Sequence, residues 1–178
     1  MKKHTSRLIA VVGTFMCLLA WTPRVNADAY TMQIFGGSNT AEDGKGNSIS
    51  IGGGAAFDEE QGIIHGGGTY TEFNSRGKAV QHGSWRAVQF LDFCSFGGPS
   101  NNFQGGVLDL IAEILPARGG APRLEKMTVT CRVFEEFAPC DPPDPPNAAA
   151  FEEGVIIGEF TKSTSGVTLY ALHGQGGS

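Results

Sequence analysis

From residue 48 onward the apolar positions recur every second residue, the period of a strand with one buried face. The clearest run is Leu124 to Val133. Met127, Val129, Cys131 and Val133 fall on one side, and Lys126, Thr128, Thr130 and Arg132 on the other. Ile49–Ile51, Val155–Ile157 and Val167–Leu172 read as further strands, and Ile63–Phe73 and Lys78–Phe93 as longer ones. Val107–Leu115 fits two periods: Leu108, Leu110, Ala112 and Ile114 alternate, whereas Leu108, Ile111, Ala112 and Leu115 have helical spacing. The punctuation around it, Gly105-Gly106 and Pro116 to Gly120, favours a strand. Asn74-Ser75-Arg76-Gly77 is hairpin chemistry, with Asn opening the turn and Gly supplying positive φ.

The pattern predicts an all-β fold of seven or eight strands with no helix. Short connections make neighbours antiparallel, as in a β-barrel or, alternatively, a β-sandwich. The 26 glycines favour the barrel, because glycine bends strands and closure removes exposed edges. The expected organisation is a signal peptide over 1–27, an N-terminal extension over 28–47, the barrel over 48–173 and a flexible tail over 174–178. Pro142 to Pro146 should form a stiff extended loop.

The signal reading rests on basic Lys2, Lys3 and Arg7, an apolar run from Leu8 to Ala20, and small residues before a cut after Ala27 or Ala29. The run is too short to cross a hydrocarbon core of about 30 Å. Removal takes four of the 13 basic residues (Lys2, Lys3, Arg7, Arg24) and no acid. Nine bases then face 18 acids, a formal charge of −9. That charge argues against nucleic acid and anionic membranes as partners. The expected location is periplasmic or extracellular, without membrane insertion once the signal is gone. Cys94, Cys131 and Cys140 remain. An oxidising compartment favours one disulfide. Cys131–Cys140 is the pairing nearest in sequence, with Cys94–Cys131 and Cys94–Cys140 open.

Candidate chemistry is sparse. Gly52-Gly53-Gly54 and Gly66-Gly67-Gly68 lack the following helix and Lys-Ser/Thr of a phosphate loop. A hairpin at 74–77 instead places Trp85 against Gly66–Gly68, where glycine makes room for an indole. A four-residue loop would gather Thr69, His65, His82, Ser84 and Arg86 on one face; a three-residue loop would split them. Asp109 and Glu113 lie about 13 Å apart along a strand, beyond a glycosidase pair. Either both face solvent or one neutralises an arginine. Asp43-Gly44-Lys45-Gly46-Asn47 has Lys where a calcium ligand belongs, so it reads as a tight turn. No catalytic residue, metal site or cofactor is assigned. The candidate ligand-binding residues are His65, Tyr70, His82, Trp85 and Arg86.

Gly83-Ser84-Trp85 resembles the Gly-x-Trp element of lipocalin- and avidin-type barrels, although here it follows at least two strands. The stretch Gly66 to Phe73 with Gly83 to Ala87, followed by Gly106-Val107-Leu108 and Thr128 to Cys131, resembles a type of small exported bacterial protein without assigned activity. That resemblance implies a shared fold and export and no catalytic residues. Three functions follow. The first is an exported non-catalytic β-barrel binding a small apolar ligand or a protein partner. The second is a cyclase or isomerase, loosely similar to allene oxide cyclase and dirigent barrels. The third is a packed structural envelope protein.

Overall fold

The computed structural model describes residues 29–100, 102–132 and 152–173, the side chains of 98–100 excepted. The segments expected to be a signal peptide, a proline loop and a tail lie outside them, as does Val133. Nine strands follow one another: β1 (Ala29–Glu42), β2 (Ser48–Asp58), β3 (Ile63–Phe73), β4 (Ala79–Ser100), β5 (Phe103–Pro116), β6 (Arg123–Cys131), β7 (Gly154–Ile157), β8 (Lys162–Ser165) and β9 (Thr168–His173). All pairings are antiparallel, in the order β4-β3-β2-β1-β9-β5-β6-β7, and β4 also pairs with β5, which closes a ring. The Val107–Leu115 segment is a strand, as its flanks require.

Closure depends on two strands that each divide one edge between partners. Along β1, Ala29–Ile34 pairs with β9 and Thr40–Glu42 with β8. Along β5, Phe103 and Gln104 pair with β9, and Gly106–Ile114 with β6. The 22-residue β4 follows β5 through repeated register shifts, between Ala87 and Gln89 and again between Phe90 and Asp92. Each shift bends the strand and adds twist.

One expectation is corrected. Residues 28–47 are no extension, since 29–42 form β1 in the middle of the sheet. Its alternation is genuine, with Tyr30, Met32 and Ile34 buried, but an irregularity between Ile34 and Asn39 restarts the phase and puts a polar Asn39 inside. The described residues hold nine strands, close to the seven or eight expected. β8, Lys-Ser-Thr-Ser, has no apolar residue to announce it. The hairpin between β3 and β4 closes the three-residue loop 75–77, with the Asn74 N–H donating to the Lys78 carbonyl at 3.0 Å. Phe73 pairs with Ala79, and the register then shifts so that Glu72 faces Gln81. Asn74 Oδ1 accepts from the N–H groups of Arg76 and Lys78, and Gly77 takes φ +72°.

The interior is built around Trp85. Gly53, Gly68, Trp85 and Ile114 lie in one cross-strand row. The indole donates from Nε1 to the Gly52 carbonyl at 3.1 Å, two strands away. A Cβ at Gly68 would strike the Gly52 carbonyl and stand 2.7 Å from Trp85 Nε1. The glycine cluster is therefore required by packing, as the sequence suggested. Above it Tyr30, Phe57, Phe93 and Tyr170 interlock, with Tyr30 and Phe93 centroids 4.7 Å apart and Phe57 and Phe93 4.8 Å apart. Met127, Val129 and Cys131 are buried as their phase demands. Thr130, expected on the wet face, is buried too, where β7 pairs at Gly154.

Gly68→Ala should lower unfolding free energy by about 1–3 kcal/mol through overpacking. Gly44→Ala, with open space around the new methyl, should leave it nearly unchanged; urea denaturation compares the two. Burial raises the Tyr170 pKa well above 10.0, with the neighbouring Cys131 adding to the rise. A raised folded-state pKa gives stability that is full below the unfolded value, about pH 10, and is lost as pH climbs toward the folded one. Alkaline titration followed by tyrosinate absorbance should therefore show Tyr170 ionising only together with loss of folded structure.

Candidate functional site

Strand alternation sends the five candidate residues to two faces. Tyr70 and Trp85 point into the ring and are buried. His65, His82 and Arg86 point outward and are exposed. Thr69 opposite Ser84, Thr71 opposite His82 and Gly67 opposite Arg86 make one outer face, so the polar set stays together. It is separated by the sheet from Tyr70 and Trp85. The five do not form one site.

On the outer face of β4 to β6, several charges have local partners. Arg86 Nε forms an ion pair with Glu113 on the adjacent β5, so one of the two β5 acids does neutralise an arginine. Asp109 accepts from Thr128 Oγ1 at 2.5 Å and pairs with Lys126 Nζ at 2.7 Å. Asp43 Oδ1 accepts the N–H groups of Lys45 and Asn47, each at 2.8 Å, which makes the 43–47 segment the expected tight turn. Among the described residues no group of three or more His, Cys, Asp or Glu could hold a metal ion. Cys131 is a buried thiol whose Sγ donates to the Thr168 carbonyl at 3.2 Å. That corrects the Cys131–Cys140 pairing: Cys131 is in phase with Met127 and Val129 and points into the core. Cys140 lies outside the described residues.

A concavity lies elsewhere, at the end of the ring where β6 begins and the β7–β8 turn lies. It measures about 240 Å³ and is lined by Ile49, Ile114, Arg123, Glu125, Ile157, Gly158, Glu159 and Phe160. Its floor is the lower edge of the core, since Ile49, Ile114, Ile157 and Phe160 are all buried. Ile157 and Phe160 exchange backbone hydrogen bonds across the turn, which fixes the Gly158-Glu159 tip over the mouth. Arg123 pairs with Glu72 and, from Nε, with Glu125 Oε1 at 3.3 Å. Burial alone would lower the Arg123 pKa, but the hydrogen bond and charge of Glu72, with Tyr70 and Glu125, outweigh it and raise it. The guanidinium is permanently charged and satisfied.

Sequence reasoning missed Glu72, Arg123, Glu125 and Glu159. A signal was present for two of them. Arg123 and Glu125 share the phase of Met127 and Val129, so an inward-pointing charge at a strand end marks the mouth of the ring. Glu159 sits in a turn, where no periodicity operates. No family model, curated protein or solved structure matches this chain.

His82→Ala and Arg86→Ala should each change stability by less than about 1 kcal/mol, as exposed side chains do. Trp85→Ala should cost about 3–5 kcal/mol, the range for truncating a buried aromatic. Equilibrium unfolding of the three variants checks the division between faces.

Proposed function

We propose that this chain is an exported, non-catalytic β protein that binds through its exterior, with the cleft at the ring mouth receiving a small ligand or a partner's side chain. The observation that carries this is the filled interior. Trp85, Tyr170, Met32, Leu108, Leu110 and Met127 occupy the inside of the ring, whereas the cleft of about 240 Å³ opens outward. The size is below the range of about 300–1,000 Å³ usual for drug-sized ligands, so the occupant is small or is one side chain.

The resemblance to small exported bacterial proteins supports the same placement. A cut after Ala27 keeps the whole of β1, whose pairing begins at Ala29 opposite Asp58 and His173, whereas a cut after Ala29 removes its first pair. Cys94 is disulfide-bonded and Cys131 is a buried thiol, which supports Cys94–Cys140 among the pairings left open. The cyclase or isomerase alternative has less support, because His82 and Arg86 are exposed on the outer face, away from any enclosed chamber. The packed envelope protein is the second reading, favoured by the same dense core.

Native mass spectrometry of protein purified from its own producer tests these readings together. The expected species starts at Asp28, carries a non-covalent ligand or partner, and yields one thiol on titration, reactive only after denaturation. A bare mature chain would favour the envelope protein over the binding reading. Retention of residues 1–27 would remove export.

A further inference from the structure

We propose that the cleft at the ring mouth takes a primary ammonium group carried on a short alkyl stem. This rests on the cleft being a binding site and names what it binds. The floor supplied by Ile49, Ile114, Ile157 and Phe160 suits a hydrocarbon stem. The rim is acidic in sum. Glu125 and Glu159 line it, Glu72 stands behind it, and Arg123 is the single cation among the lining residues. One arginine against three carboxylates leaves two negative charges.

The arrangement of partners selects the type of cation. Arg123 is held by Glu72 and Glu125, so its charge is already neutralised and an incoming anion would have to displace a carboxylate. Glu125 gives Oε1 to Arg123 and keeps Oε2 for another donor. Oε2 rests against the bare backbone of Gly158, where a Cβ would stand 2.7 Å from it; any side chain at 158 would push the carboxylate aside. A planar guanidinium is held best by two oxygens of one carboxylate, and at the inner end of the cleft Glu125 has only one to offer. An ammonium is a compact charge with three rotatable donors and can bridge Glu125 Oε2 and the exposed Glu159. Two sources carry this chemistry: a free alkylamine and a lysine side chain of a protein partner.

The test is titration of the ¹⁵N-labelled mature protein with n-butylammonium, Nα-acetyl-lysine amide, butyrate and butanol. Butylammonium should move the amide signals of Glu125 and Ile157 to Phe160. Glu125→Gln or Glu159→Gln should weaken it about fivefold, the scale of a partly exposed charge pair. Glu159 is an exposed turn residue, so its variant keeps the parent melting temperature and isolates the charge effect. Tighter binding of the lysine amide than of butylammonium assigns the site to a partner's lysine; the reverse assigns it to a free amine. Equal or stronger shifts with butyrate or butanol overturn the ammonium assignment and leave the cleft a binding site. Cleft amides unmoved by all four probes overturn the binding-site reading itself.

Discussion

The contact of the Trp85 indole with bare glycine backbone governs the rest of the molecule. An indole laid flat inside a narrow ring needs the row beside it to carry no side chains, and Gly53 and Gly68 meet that need. Its N–H must also find an acceptor in a dry interior, because an unpaired buried donor costs about 1–3 kcal/mol. The Gly52 carbonyl accepts it. One hydrogen bond thus ties β4 to β2 across β3 and fixes the curvature of that wall. The same lack of side chains lets the β2, β3 and β4 backbones approach closely enough to coil.

Curvature leads to closure, and closure explains why the interior is solid. β9 bridges β1 and β5 along part of each, and beyond it β1 pairs with β8 while β5 pairs with β6, which carries β7. Large side chains from every wall then meet in the middle, with Tyr30, Phe57, Phe93 and Tyr170 stacked or edge-on at one level. Such a core leaves its polar chemistry to the two places where alternation permits it, the outer face and the ring mouth. Arg123, Glu72 and Glu125 occupy the mouth as an ionic cap over the apolar floor.

Much of this was legible in the residues. The β6 alternation identified its buried set, the glycine clusters were recognisable as room for the indole, and the 43–47 and 74–77 turns followed from Asn, Asp and Gly chemistry. The ligand-binding set was not legible as a site, because it mixed both strand phases: Tyr70 and Trp85 belong inside, His65, His82 and Arg86 outside. β1 escaped notice because the irregularity before Asn39 breaks its period and buries an amide. β8 escaped because its partners, not its composition, make it a strand.

Local side-chain alternation and turn chemistry are properties of neighbouring residues, so the sequence by itself determined strand character, the wet and dry faces and the tight turns. Which strands divide an edge, and that Glu72 and Arg123 meet across 51 positions of chain, are relations between distant segments. Only tertiary structure decided those, because ring closure and strand register bring together groups that no local pattern links.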